Sequence, residues 1–208
     1  MSTNTLDIFK SYIKNTRLFT EKEIKSIISL VKLKELKKNE YLLSQGNVCA
    51  FHTFVCSGCL RSYRIDERGR EHIFSFSTVN HWVSDHVSLI TRAISAEWID
   101  ALEDSIIVQL SVDDFNTLSR KTPNIEVLHT KIIIDDYCRN RERIYMMTNH
   151  QAEERYRHFI RLYPQLHHRL PIFMIASYIG VTRETLTRIR SNMAGRKSVG
   201  VSCTKLHT

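Results

Sequence analysis

Arg183, Glu184, Thr187 and Arg188 carry the most specific chemistry in this chain of 208 residues. An arginine can fork onto guanine, a glutamate can accept from cytosine, and a threonine can meet a base or a phosphate. All four avoid the stripe of Leu186, Ile189 and Met193, which repeats at i, i+3 and i+7 and would bury one face of a helix. Just upstream, Ile172, Ile175, Ala176 and Ile179 recur at helical spacing. Gly180 can take the positive φ needed to leave that helix, and Thr182 can cap the next. Small Ala176 and Gly180 let the two helices cross closely. Pro171 to Met193 therefore reads as two short helices around a tight turn, the second able to lie in a major groove with its N-terminal side chains toward base edges.

Packed helix pairs joined by a glycine turn are common, so the distribution of charge decides between a DNA reader and plain packing. From 139 to 208 there are 13 Lys or Arg against 4 Asp or Glu, a net of +9, whereas 1 to 138 holds 17 against 18, a net of −1. The positive excess lies with the reading helix, where phosphate neutralisation would need it. This split also predicts two modules of unequal size. The opening MSTNTLDIFKSYIKN has no apolar run long enough for a signal peptide. No segment approaches the roughly 18 apolar residues of a membrane span, so a cytoplasmic location without membrane contact is expected. Cys49, Cys56, Cys59, Cys138 and Cys203 form an odd, scattered set, which reads as reduced thiols rather than a disulfide framework.

The elements that must position the reading helix follow from periodicity. Leu6, Phe9, Ile13, Leu18, Phe19, Ile24, Ile27, Ile28 and Val31 predict two helices, the second opened by a capping box of Thr20 and Glu23. Seven β-rich runs follow: 32–36, 40–44, 52–56, 59–65, 71–77, 98–102 and 105–110. They are separated by turns at Gln45-Gly46-Asn47, Ser57-Gly58 and Asp66-Glu67-Arg68-Gly69, spacing that argues for an antiparallel barrel or roll. Residues 84–92 read as a short helix inside the roll, and 112–119 as another after it. From Asn124 to about Met147 there is no Gly or Pro, which predicts one long helix. Its apolar edge of Leu128, Ile132, Ile134, Cys138 and Tyr145 is expected to pack on a second copy, with an imperfect heptad pattern. A further helix over 151–162 precedes Tyr163-Pro164, read as a hinge. Ala194 to Thr208 reads as a flexible tail with Arg196 and Lys197 available to phosphates.

This order of elements, with Thr182-Arg183-Glu184-Thr185-Leu186-Thr187-Arg188 at its end, resembles the Crp/Fnr family of bacterial transcription regulators over nearly the whole chain. Within the roll, Phe54-Val55-Cys56-Ser57-Gly58-Cys59-Leu60-Arg61-Ser62-Tyr63 looks like the family's strand-Gly-strand element, and Ala101-Leu102-Glu103-Asp104-Ser105 like its late strand pair. The resemblance implies an α+β chain: an N-terminal cyclic-nucleotide-binding-like antiparallel β-roll over 1–123, a dimerisation helix over 124–147 and a helix-turn-helix DNA-binding domain over 148–208. It implies a homodimer on a two-fold double-stranded DNA site, contact with RNA polymerase, base-contacting Arg183, Glu184 and Arg188, and Thr182 and Thr187 as phosphate or base neighbours.

In the ligand pocket the pattern departs from the family. Members that bind cyclic AMP use a Gly-Glu pair and, further on, an Arg-Ser pair that holds the cyclic phosphate. The corresponding stretches here are Trp82-Val83-Ser84-Asp85-His86 and Ala93-Ile94-Ser95-Ala96. Only Ser95 survives, and a buried phosphate without its guanidinium is costly. Cyclic AMP is not expected unless Arg92 moves in. Ser84, Asp85, Arg92 and Ser95 are the candidate residues for another small-molecule effector, or the site takes none.

Other readings stay open on specific residues. Cys56-Ser57-Gly58-Cys59 has the spacing of zinc and redox sites and would make the protein a metal- or thiol-sensing regulator, but no second Cys pair follows. Residues 1–48 hold no cysteine, which disfavours an N-terminal iron-sulfur cluster. A β-roll can also belong to a cupin-like metal-dependent enzyme with a helical appendage, yet no His-x-His with a spaced Glu, no catalytic triad and no phosphate loop is present. The expectation is a non-enzyme without a cofactor or metal. A pure interaction module, in which the basic helices grip RNA or an acidic partner, is the third alternative; Tyr156, Phe159, Tyr163 and Phe173 sit at helix-core spacing and look unavailable for base stacking.

Overall fold

The structure, a computed structural model, describes residues 2–199. It divides into two compact units, one up to Cys138 and one from Arg139 onward. The first opens with α1 (Ser2–Asn15) and α2 (Glu21–Leu30). The capping box that starts α2 is present, with the Glu23 carboxylate accepting from the Thr20 backbone N–H at 2.8 Å.

Eight strands follow: β1 (Lys32–Leu36), β2 (Tyr41–Leu43), β3 (Phe51–Ser57), β4 (Leu60–Ile65), β5 (Glu71–Ser77), β6 (Trp82–Val83), β7 (Trp98–Ala101) and β8 (Ser105–Ser111). They form two four-stranded antiparallel sheets, ordered β1-β8-β3-β6 and β2-β7-β4-β5. This is the expected roll, with β6 as an added two-residue strand too short to show a period. Between β6 and β7 lies α3 (His86–Thr91). Gly58, at φ +93°, turns β3 into β4, and a side chain there would run into Ser105.

Alternation along β3 explains the two cores of this unit. Val55 joins Leu36, Leu43, Leu60, Ile99 and Ile107 inside the roll. The intervening Phe54 and Cys56 point the other way, into a second core with Phe9 and Ile13 of α1, Ile24 and Ile27 of α2, and Phe115 of α4 (Val112–Ser119). A strand with helices on one face and the roll interior on the other is buried on both sides, so it lacks a polar face. Ile125 and Leu128, at the start of α5 (Asn124–Asn149), complete that second core.

The long helix thus exists, but its apolar residues serve two surfaces. Leu128 and Ile132, expected on a dimer edge, pack into the first unit instead. Val127, Ile134 and Tyr137 are each more than half exposed, and Ile144 continues their spacing. Residues 127, 134, 137 and 144 occupy a and d positions of one heptad register. The full helix is weakly amphipathic because two apolar faces overlap along it.

A run of rings ties β3 to the helices over it. His52 stacks on Phe115 at 4.4 Å between centroids, and His129 of α5 meets His52 edge-on at 4.8 Å and Phe115 at 5.0 Å. Burial first, then the neighbouring His129, His86 and Arg92, pushes the His52 imidazole down to about 3. Burial also lowers His129. On the outer face of the second sheet, Arg61 forks onto Asp100 at 2.8 and 3.0 Å and also pairs with Glu71, joining β4 to β7 and β5.

The second unit contains the C-terminal part of α5, α6 (Ala152–Leu162), α7 (Ile172–Ile179) and α8 (Arg183–Val199). Residues 194–199, read from sequence as the start of a flexible tail, continue α8, and they contain no proline to stop it. The phosphate role expected of Arg196 and Lys197, and the rest of the tail over 200–208, lie outside the described side chains.

His52 is neutral in the folded chain and has an ordinary pKa near 6.5 when unfolded. Its burial therefore contributes stability in full above pH 6.5, which is lost as pH falls toward 3. The expected loss is about 1.4 kcal/mol per pH unit, or about 2 kcal/mol at pH 5. Urea denaturation at pH 7 and pH 5 checks this: His52→Leu should flatten the pH dependence, and an unchanged slope would contradict it.

Candidate nucleic-acid interface

The reading helix is locked on one side and free on the other. Phe159 of α6, Ile175, Ala176 and Ile179 of α7, and Leu186 and Ile189 of α8 are all buried. Met193, expected to complete the stripe, is only half-buried. Arg143 closes the same core from α5, donating to the Tyr178 carbonyl at 3.0 Å with its guanidinium 5.0 Å from the Tyr178 ring centre. Arg190 on α8 is held as well, donating to the His167 carbonyl at 3.0 Å.

Local backbone chemistry sets the turn. Gly180, at φ +68°, ends α7 in the left-handed conformation, and its N–H and that of Val181 both reach back to the Ala176 carbonyl. That pairing satisfies carbonyls otherwise orphaned at a helix end. Thr182 then opens α8: its hydroxyl oxygen accepts from the Thr185 N–H at 3.2 Å, and its carbonyl accepts from Leu186 at 3.1 Å. The cap expected from the sequence is in place.

Thr182, Arg183, Glu184, Thr187 and Arg188 are all exposed. At 100° per residue, Arg183 to Arg188 spans an arc of about 140° opposite Leu186 and Ile189. The hydroxyls are not equally available. The Thr182 hydroxyl is engaged in the cap, and Thr187 donates to the Arg183 carbonyl at 2.9 Å. Thr187 therefore presents acceptor lone pairs and a methyl group outward, which suits a base amino group or a thymine methyl better than a phosphate oxygen. The Glu184 carboxyl is held below the usual carboxylate range by its own backbone N–H and by the Thr182 side chain, so it stays an anionic acceptor.

Phe173, expected in the helix core, is half exposed on α7, whereas Tyr156 and Phe159 are buried as expected. His168 and Arg169 are exposed in the segment leading into α7. Residue type alone did not mark these three positions, because exposure there depends on how α6, α7 and α8 close on one another.

The four candidate effector residues do not form one pocket. The Asp85 carboxylate caps α3, accepting from the Ser88 N–H at 3.0 Å, and also accepts from the Ser95 hydroxyl at 2.7 Å. Ser84 donates to the Val83 carbonyl at 2.6 Å. Arg92, in the left-handed conformation that ends α3, turns to the surface and meets Asp113 at 3.3 Å. The loop thus satisfies itself, with a carboxylate where a bound phosphate would need donors. Cys56 and Cys59 are both buried, and desolvation pushes the Cys56 thiol up to about 11. Among the described residues, no group of three or more His, Cys, Asp or Glu could hold a metal ion, and no helix is long and apolar enough to cross a membrane.

Residues 33–122 match the cyclic nucleotide-binding domain. The fumarate and nitrate reduction regulatory protein of Yersinia pestis is 26% identical over 183 residues, covering 81% of this chain and 72% of that one. Among solved structures, FixK2 from Bradyrhizobium japonicum has a TM-score of 0.71 at 16% identity, covering 80% of this chain and 86% of its own. A Crp/Fnr-family protein of Eubacterium rectale has a TM-score of 0.68 at 14% identity, covering 89% and 88%. A roll carrying the cyclic nucleotide-binding domain pattern, a long helix and a C-terminal helix-turn-helix make up the fold shared with these structures. Over most of its length the chain is similar to transcription regulators of the Crp/Fnr family.

Leu186→Ala is expected to cost about 2–5 kcal/mol by opening a cavity under α8, whereas Arg188→Ala should change stability by no more than about 0.5 kcal/mol. Chemical denaturation distinguishes the two, and equal losses would contradict the division of α8 into a buried and a free face.

Proposed function

We propose that this regulator binds an inverted-repeat operator as a homodimer and acts on transcription through contact with RNA polymerase. The observation that carries this reading is the exposed row Arg183, Glu184, Thr187 and Arg188 on a helix whose opposite face buries Leu186 and Ile189. Arg183 and Arg188 are the guanine readers, Glu184 the cytosine reader, and Thr187 a base neighbour. Thr182 serves first as the cap that holds Arg183 at the helix start. The work divides into a sensor over 1–123, a dimer helix over 124–147 and a DNA-binding domain over 148–208. The protein is a cytoplasmic regulator and not an enzyme, and any effector is something other than cyclic AMP.

Selection of genomic fragments at near-physiological salt should enrich one inverted repeat. Arg188→Ala should then lose about 1–3 kcal/mol of discrimination at one base pair in each half-site. Retention of the wild-type preference by Arg188→Ala would refute its role. A protein that retains fragments without sequence preference would be a basic binder only.

The partner in the dimer is a second α5, laid along Val127, Ile134 and Tyr137. Ile134→Glu and Tyr137→Glu place charges at a and d positions and should convert the dimer to a monomer in sedimentation experiments. Operator affinity should fall with them by about 100-fold or more, because each half-site is then bound alone. A dimer that survives both substitutions would move the interface elsewhere.

A further inference from the structure

At one end of the roll its interior opens into a cavity of about 290 Å³. Leu43, Cys49, Val83 and Ile99 form apolar walls, and none of the lining residues is Asp, Glu, Lys, Arg or His. Its polar lining includes Ser44, Asn47 and the candidate effector residue Ser84, together with a cross-strand pair, Thr53 on β3 and Gln109 on β8. Both stand on the inward face, two residues from Val55 and Ile107, which are fully buried in the roll core.

That glutamine can offer its amide to a ligand in the cavity. Its amide nitrogen lies 3.5 Å from the Thr53 hydroxyl, at the limit of a hydrogen bond, and its carbonyl oxygen has no hydrogen-bond partner among the described residues. Gln109 is half-buried and its amide is not among the buried polar atoms left without a partner, so it faces the open cavity. A ligand that both donates and accepts would complete it, while an ionised ligand would shed its water with no countercharge in the walls. The cavity is also just below the range of about 300–1,000 Å³ usual for larger ligands, so its occupant is small.

We propose that this cavity binds a small uncharged organic molecule with adjacent donor and acceptor atoms, in the manner of a primary amide, oriented by Gln109 and Thr53 and enclosed by Leu43, Val83 and Ile99. The inference rests on reading the roll as a sensor, and it names the class of effector. The wall is mechanically connected. The Cys49 backbone N–H donates to the Ser88 hydroxyl of α3 at 2.8 Å, and His86 of α3 lies 3.7 Å from Asp136 of α5. A ligand against Cys49 therefore acts on the anchoring of α3, and through it on the helix that carries the dimer seam.

The test is ligand-observed NMR on the full chain with benzamide and benzoate, which share a shape and differ in charge. Benzamide should bind, and benzoate should bind about tenfold or more weakly. Gln109→Leu should weaken benzamide about fivefold by removing its partner. Val83→Trp, at a wall residue that belongs to the roll core, should abolish binding while thermal melting confirms the fold; if that variant does not fold, Val48→Trp at the rim replaces it. Benzoate binding as tightly as benzamide, benzamide binding unchanged in a folded cavity-filled variant, or no benzamide binding at millimolar concentration would each overturn the proposal. Operator selection run on the same preparation separates the two readings: DNA selected without benzamide binding removes only the ligand class, and benzamide bound without DNA selection removes only the operator.

Discussion

Ile125 and Leu128 hold the start of α5 against Phe115, Leu118 and the outer face of β3, and that burial fixes which way the part of the helix up to Cys138 turns its side chains. Once two residues of a regular helix are committed inward, every later side chain has its direction assigned at 100° per residue. Val127, Ile134 and Tyr137 are turned outward as a consequence, although Val127 and Ile134 are as apolar as Leu128 and Ile132. The seam available to a second copy is thus a by-product of how the first unit closes. The same packing places His129 beside His52, so the contact that orients α5 is also one that acid weakens.

Electrostatics divides the chain more sharply than packing does. The first unit is nearly neutral and spends its charged groups internally: Arg61 on Asp100 and Glu71, Arg92 on Asp113, and Asp85 on Ser88 and Ser95. None of these leaves a cation positioned for a ligand phosphate, and the roll cavity has no charged wall. The second unit carries the positive excess and leaves Arg183 and Arg188 exposed. The positive excess and the exposed arginines of α8 therefore lie in the same unit, while the roll cavity of the first unit is lined by uncharged residues.

Much of this could be read directly along the chain wherever a feature depends on neighbours within a few residues. The Thr20–Glu23 capping box, the Gly58 and Gly180 turns, the Thr182 cap and the free face of α8 are local arrangements, set by backbone conformation and helical period. Strand positions were legible for the same reason, apart from β6, whose two residues are too few to show alternation. Phe173 was misread because periodicity shows which face a residue shares but not which face is covered. The end of α8 was misread because a polar, glycine-containing stretch still permits a helix.

The sequence by itself determined the order of elements, the turns and caps, the segregation of charge and the residues able to read bases, all of which follow from side-chain type and short-range spacing. Only the tertiary structure decided which apolar stripe of α5 is spent on the core, that Arg92 turns outward while Asp85 and Ser95 satisfy each other, and that Thr53 and Gln109 face an uncharged cavity. Those outcomes join residues 10 to more than 50 positions apart, and whether a polar group is satisfied or left facing a void is set by what the fold brings opposite it, a distance that no local pattern encodes.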